Sequence, residues 1–231
     1  MKAKLVNKSE IAKGTIQFDF ELLGGEAVFK AGQFSSVELI NPKYSDQKGN
    51  KRYFSIVNSP NEKNRLTFAT RISDSAFKRS LIELSLGSEV EIQNPMGKFV
   101  LPEDKTRPIV FISGGIGITP FISMLRFIKE EKLEYRITLI YSGRDQASTP
   151  FLAELKSYSN IKLVLTLTDD GSWTGEKRRV NSIFIKESVN DIASSVFFVV
   201  GPPPMVAAVT TELKKLEIKP EAVIIENFAG Y

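Results

Sequence analysis

A chain of 231 residues, 42% hydrophobic and 25% charged, has the make-up of a globular protein with core enough for one large domain or two small ones. It holds no cysteine, which excludes disulfides, zinc–thiolate sites and thiolate-held iron–sulfur clusters, and no histidine, which removes the usual general base and the commonest haem ligand. The formal charge of +4 is spread along the chain without a block of like charges, so no nucleic-acid arm is expected, and chemistry is left to carboxylates, lysines or an organic cofactor, with no metal site.

The first half reads as short strands. Ile16, Phe18, Phe20 and Leu22 alternate with polar residues, Val37 and Leu39 repeat the period of two, and turn signals fall at Gly24-Gly25, Asn41-Pro42, Lys48-Gly49-Asn50, Ser59-Pro60 and Gly87. This pattern predicts an antiparallel β-barrel over residues 1–103. Within it, Lys51-Arg52-Tyr53-Phe54-Ser55 puts Arg52 and Phe54 on one face of a strand and Tyr53 and Ser55 on the other. Further on, Asp74-Ser75-Ala76-Phe77-Lys78-Arg79-Ser80 predicts a helix start capped by Ser73 or Ser75, a potential phosphate site.

After Pro102-Glu103-Asp104-Lys105 the pattern becomes strand, helix, strand. Strands are predicted at Ile109–Ser113, Ile137–Ser142, Lys162–Thr168, Val196–Val200 and Ala222–Glu226, as near-continuous apolar or β-branched runs. Phe121, Met124, Leu125 and Ile128 form one helical stripe; Thr149-Pro150 reads as a cap and first turn; further helices are predicted over about 181–187 and 204–216. Residues 104–231 are therefore expected to form a doubly wound α/β domain on a five-stranded parallel sheet.

Two turns at the carboxyl edge of that sheet stand out. Ser113-Gly114-Gly115-Ile116-Gly117-Ile118-Thr119-Pro120 joins the first strand to its helix, and its glycines suit close approach of a pyrophosphate. It is not the G-x-G-x-x-G fingerprint, because proline takes the last position. Gly201-Pro202-Pro203-Pro204-Met205 follows the fourth strand. Either alone is also what a purely structural turn looks like; together they predict opposite walls of one crevice. Trp173 reads as a packing residue in a loop.

These segments, in this order, resemble the ferredoxin–NADP reductase superfamily over essentially the whole chain. Arg52-Tyr53-Phe54-Ser55 meets R-x-[YF]-S, Gly114 to Pro120 meets G-G-x-G-x-T-P, and Gly201 to Met205 meets the G-P-P motif. The resemblance implies FAD on the barrel domain, a pyridine nucleotide on the second domain, and hydride transfer from nicotinamide C4 to flavin N5 where the two meet. It implies that Arg52 binds the FAD pyrophosphate beside Tyr53, that Phe54 packs on the isoalloxazine and that Ser55 hydrogen-bonds near N5. It further implies that Ser75, Ala76, Phe77 and Lys78 hold the pyrophosphate while Arg71 and Ile72 line the flavin. Gly114, Gly115, Gly117 and Thr119 are to meet the nucleotide, facing Gly201 and Pro202. In the terminal Glu226-Asn227-Phe228-Ala229-Gly230-Tyr231, Glu226 is to orient the reacting groups and Phe228, with Tyr231 as second choice, to cover the flavin. Relatives often carry cysteine before G-P-P, where this chain has Val200, and those serving oxygenases often carry a fused iron–sulfur domain, which a chain without cysteine does not hold.

Tyr141-Ser142-Gly143-Arg144-Asp145 ends the second α/β strand, where an acid favours NAD and arginine suits the 2′-phosphate of NADP. Ser142 and Arg144, with Lys177 or Arg178 near, favour NADP(H); Asp145 keeps NAD(H) open. The expected function is that of an FAD-dependent NAD(P)H oxidoreductase passing electrons to an external carrier such as ferredoxin or flavodoxin. The alternatives are the reductase component of a multi-protein oxygenase or membrane electron-transfer system, and a non-catalytic regulatory subunit. No apolar run reaches the ~18–20 residues that span a bilayer. The opening residues contain no secretory apolar stretch, and a cytoplasmic location without membrane insertion is the expectation.

Overall fold

The computed structural model describes residues 1–227 and divides into two units. The first comprises Met1–Leu101 with Thr119–Glu131; the second comprises Pro102–Ile118 and the chain from Lys132 onward.

In the first unit, β1 (Lys2–Ala12), β2 (Thr15–Leu22), β3 (Phe34–Leu39), β4 (Lys51–Ser55), β5 (Arg65–Arg71) and β6 (Glu89–Ile92) form an antiparallel, barrel-like sheet in the order β4-β3-β6-β1-β2-β5. The period-two pattern decides the inner face. Phe18 and Phe20 of β2, Val37 and Leu39 of β3, and Val90 and Ile92 of β6 join Leu5, Leu66 and Phe68 in one core. A single helix over it, α1 (Ala76–Glu83), adds Phe77 and Leu81. Each such side chain, fully buried, stabilises by about 1.5–3 kcal/mol.

Asp19 is a buried polar exception. Its Oδ1 accepts from Thr67 Oγ1 (2.9 Å) and Gln17 Nε2 (3.1 Å), and its Oδ2 from Asn7 Nδ2 (2.9 Å), beside a register shift in β1 between Leu5 and Asn7. A slip of β1 would strand this carboxylate, so the network specifies register as much as it stabilises.

A second helix, α2 (Thr119–Glu130), also belongs to this unit. Ser123 Oγ donates to Asn58 O (2.7 Å), the Phe121 and Phe99 rings lie 5.7 Å apart, and Asn61 Nδ2 donates to Glu130 Oε2 (3.0 Å).

The second unit is built on β7 (Ile109–Gly114), β8 (Ile137–Gly143), β9 (Ile161–Leu167), β10 (Val196–Gly201) and β11 (Val223–Asn227), all parallel, in the order β11-β10-β7-β8-β9. Strands β7 and β10 are buried throughout, as their apolar runs predict. The chain runs outward from β7 through β9, then returns to β10 on the other side of β7. That reversal makes the sheet doubly wound and puts its switch point beyond the carboxyl ends of β7 and β10.

Helices α3 (Leu152–Ser157), α4 (Ser182–Ser188) and α5 (Pro203–Lys215) alternate with the later strands. On one face Phe184 and Ile185 of α4 and Val206, Val209 and Leu213 of α5 pack with Val110, Ile112, Phe197 and Val199. Asn181 caps α4, its Oδ1 accepting from Phe184 N at 2.9 Å. The predicted cap at Thr149 is displaced. Thr149 Oγ1 donates to Asp145 O (2.6 Å) and closes the preceding turn, leaving Phe151 at φ +60° to open a helix that starts at Leu152. Among the described residues no helix is long and apolar enough to cross a membrane.

Candidate functional site

The first candidate site is an anion cradle on the barrel unit. Ser75 caps α1, its Oγ accepting from Lys78 N at 3.3 Å, which leaves the first turn of the helix to present backbone N–H groups at Ala76 and Phe77. Arg52 of β4 lies over the Phe77 ring at 5.2 Å, and its Nη1 donates to the carbonyls of Lys48, Gly49 and Lys51 at 2.9, 3.1 and 2.6 Å. Its Nη2 is buried without a hydrogen-bond partner among the described residues; Asp46 Oδ1 stands off at 3.7 Å. Lys78 is buried, and burial, followed by the positive fields of Arg52 and Arg71, pushes its ammonium down to about 8. Three cations converging where solvent is scarce call for an anion of more than one charge.

Ser55 completes β4 with an Oγ that is buried and unpartnered among the described residues. Phe54 is the ring that the resemblance sets against a flavin. It is 3% exposed and turned into the barrel core, with its ring 6.0 Å from Phe68 and 5.9 Å from Phe77. The inward face of β4 carries Arg52 and Phe54 together, as strand alternation requires. The ring that β4 does present is Tyr53, 56% exposed and held edge-on by Phe34 at 5.8 Å. Arg71 ends β5 half-buried, and Ile72 beyond it is exposed.

The second candidate site is the switch point of the parallel sheet. After β7 the chain makes one 3-10 turn, Gly115–Ile118, with Gly115 at φ +55°, where a side chain is strained. A Cβ on Gly117 would lie 2.8 Å from both Gly201 Cα and Val200 O, so the turn after β7 and the end of β10 touch backbone to backbone. Gly114 sits equally close under Met205 and near Pro202, which is exposed and opens α5. The structure thus brings Gly114, Gly115, Gly117, Gly201 and Pro202 into one cluster. Thr119, buried, begins α2.

At the end of β8, Ser142 is half-buried and Arg144 exposed. Asp145 is engaged by its own turn: Oδ1 accepts from Ser148 N (2.8 Å) and Oδ2 from Ser148 Oγ (2.9 Å). Arg178 is held by Glu176 and Glu187 at 2.6 and 2.5 Å, which raises its own pKa and pulls the Glu176 carboxyl down to about 2. Arg178 is therefore committed within its loop, whereas Lys177 is exposed. Trp173 packs over Gly175 and donates from Nε1 to Glu176 O (2.9 Å), the packing role expected of it.

Sheet register adds one residue that the sequence did not single out by itself. Ser113, Val200 and Glu226 are direct partners across β7, β10 and β11, so their side chains share one face. Ser113 Oγ and Glu226 Oε2 are both buried and unpartnered among the described residues. Only the strand order puts 113 and 226 on either side of Val200, and no spacing in the sequence signals it.

Burial pushes the Glu226 carboxyl up to about 7 from 4.5. Between those values the folded chain holds a proton that the unfolded chain has lost, so stability falls as pH rises from 4.5 through 7 and then levels. Thermal melting should record a loss of about 1–3 kcal/mol over that window. Glu226→Gln should flatten this part of the curve, and an unchanged slope would show the carboxyl to be solvated. Phe228 and Tyr231, the proposed flavin covers, lie outside the described residues.

The donor sets fit two nucleotides. Orphaned Arg52 Nη2 and Ser55 Oγ, with Lys78 and the α1 amides, suit a flavin pyrophosphate and a ring heteroatom; the glycine cluster at the switch point suits a second pyrophosphate.

Comparison with known proteins agrees. Residues 2–101 match the oxidoreductase FAD-binding domain, and residues 111–211 match the oxidoreductase NAD-binding domain. The chain is 26% identical over 196 residues to terephthalate 1,2-dioxygenase, reductase component 1, of Comamonas sp, covering 82% of this chain and 56% of that protein. It is 26% identical over 209 residues to the anthranilate 1,2-dioxygenase electron transfer component of Acinetobacter baylyi, covering 87% and 58%. The chain therefore spans less than three fifths of the length of these two relatives (56% and 58%). Among solved structures, the flavohem-like FAD/NAD binding domain of nitric oxide dioxygenase from Vibrio cholerae O1 biovar El Tor matches at a TM-score of 0.86 and 20% identity, covering 98% of each chain, a likeness of fold.

Proposed function

This chain belongs to the ferredoxin–NADP reductase superfamily, and from that premise we propose that it takes a hydride from NAD(P)H onto bound FAD and passes the electrons to a separate protein. The observation that carries the reading is the pair of orphaned polar atoms on β4, Arg52 Nη2 and Ser55 Oγ, in the same chain as the paired glycine turns of the switch point. When bound, FAD supplies the N5 atom that accepts the hydride and holds the electron pair for release.

The chain's own residues bind and orient. Arg52, Lys78 and the α1 amides neutralise a pyrophosphate, and Ser55 offers its hydroxyl to the ring. Tyr53, rather than Phe54, is the ring of β4 available to lie along a flavin. The turns of Gly114–Gly117 and Gly201–Pro202 take the nucleotide pyrophosphate. Glu226, with its carboxyl near neutrality, is able to hold a proton at the edge of the sheet at physiological pH.

The acceptor proposed is an iron–sulfur or oxygenase component carried by another chain. These 231 residues contain no cysteine to hold a cluster, and the relatives named above are the reductase or electron transfer components of dioxygenases. A ferredoxin or flavodoxin satisfies the same chemistry.

NADP(H) is the proposed donor, because the acid that would clasp a ribose, Asp145, is engaged by Ser148 while Arg144 is exposed. Purified protein should be yellow, and anaerobic NADPH should bleach its visible band. In Arg144→Ala the KM for NADPH should rise about tenfold with that for NADH nearly unchanged. Tight binding of both nucleotides with no bleaching would instead identify a regulatory subunit.

A further inference from the structure

We propose that the hydroxyl of Tyr141 is a positioning group that sets the spacing of the two turns on which the pyridine dinucleotide lies, an inference that rests on the nucleotide placement proposed above. Tyr141 stands in β8 directly opposite Ser113 of β7, and its side chain is wholly buried. An interior tyrosine needs a partner for its hydroxyl. Here the oxygen lies 2.9 Å from Gly115 O and 3.2 Å from Pro150 O. Gly115 opens the turn after β7, and Pro150 lies in the connection that leaves β8 at Arg144, just beyond the strand's last residues Ser142 and Gly143. One hydroxyl proton is thus shared between the turn assigned to the pyrophosphate and the turn assigned to the adenosine ribose.

The consequence for the first turn follows from peptide geometry. Gly115 sits at φ +55°, and a Cβ built on it meets nothing within 4 Å, so side-chain packing does not hold it. Its carbonyl and the N–H of Ile116 belong to one planar trans peptide and point opposite ways. Holding Gly115 O on Tyr141 therefore fixes the orientation of that peptide at the head of the turn. The same hydroxyl, bound also to Pro150 O, sets the distance from that peptide to the segment that leaves β8 through Ser142 and Arg144. A dinucleotide must match this distance; a fragment occupying one turn need not.

Tyr141→Phe keeps the ring and removes only the hydroxyl. In the FAD-loaded variant, the Kd and KM for NADPH should rise about three- to tenfold. The kcat at saturation should hold, and so should the Kd of adenosine 2′-phosphate, which engages the second turn alone. Unchanged NADPH affinity overturns the proposal; so does equal weakening of both ligands, which marks general loosening of the domain. Failure of the underlying reading looks different, because the wild-type protein would then bind no pyridine nucleotide. If the phenylalanine variant does not accumulate, 3-fluorotyrosine at 141 serves in its place. Its fluorine resonance should shift with NADPH and stay put with adenosine 2′-phosphate, and a resonance that NADPH leaves unmoved overturns the proposal.

Discussion

Gly117→Ala should abolish most pyridine-nucleotide binding while leaving FAD in place. The added methyl would sit 2.8 Å from Gly201 Cα and 2.8 Å from Val200 O, closer than real Cβ atoms are found, and a tight 3.1 Å from Gly201 N. All three obstacles are backbone, so no side chain can rotate away. The end of β10 and the turn after β7 have to part, and overpacking of this kind costs about 1–3 kcal/mol. For a unit of this size the apparent melting temperature should drop by about 5–15 °C. NADPH affinity should fall by at least about tenfold, because the turn amides no longer converge. Gly171→Ala is the matched control: its Cβ meets nothing within 4 Å and its φ is not positive, so both quantities should stay near wild type. Equal behaviour of the two variants would show that the turns do not need their close contact.

The second large effect is expected at the other cradle. Arg52→Ala removes the guanidinium whose Nη2 is buried without a partner, and with it a charge-assisted contact worth about 1.5–3 kcal/mol. FAD affinity, read by fluorescence titration of the stripped protein, should fall about ten- to 150-fold. Arg52→Lys should recover only part of this, since an ammonium keeps the charge and loses the planar fork. An internal check is available, because Arg52 is one cause of the depressed Lys78 ammonium: in Arg52→Ala that group should titrate at higher pH. Full retention of FAD by the alanine variant would remove Arg52 from the site.

Much of the architecture was legible because strand alternation and continuous apolar runs are local. Phe18 and Phe20 mark an inner face by themselves, and Val196–Val200 reads as a strand covered on both sides. The helix predicted over about 181–187 is local in the same way, and the structure adds its cap, Asn181, which accepts from Phe184 N three residues on. The failures share a different cause. Thr149-Pro150 has the letters of a cap, but the Thr149 hydroxyl is taken by Asp145 O four residues back, a competition that composition does not rank. The apolar stripe of α2 announced burial without naming the partner, and Ser123 and Phe121 turn out to pack with Asn58 and Phe99 of the barrel unit. On β4, alternation grouped Phe54 with Arg52 correctly, yet which face looks inward is decided by how the sheet curves. Ser113 and Glu226 flanking Val200, and Tyr141 beneath Gly115 and Pro150, needed the strand order 11-10-7-8-9, which is a property of the whole sheet.

If the cradle of Arg52, Arg71 and the buried Lys78 holds the cofactor's diphosphate as proposed, loading should depend on acidity. With its ammonium at about 8, Lys78 in the empty cradle shares its proton with solvent under mildly alkaline conditions. A diphosphate arriving there restores the charge, so loading at that pH draws about half a proton from the medium. Above it, each further unit of alkalinity should weaken retention by about a factor of ten until the ordinary lysine range is reached. The apoprotein would then be easiest to prepare in base and easiest to reconstitute near neutrality.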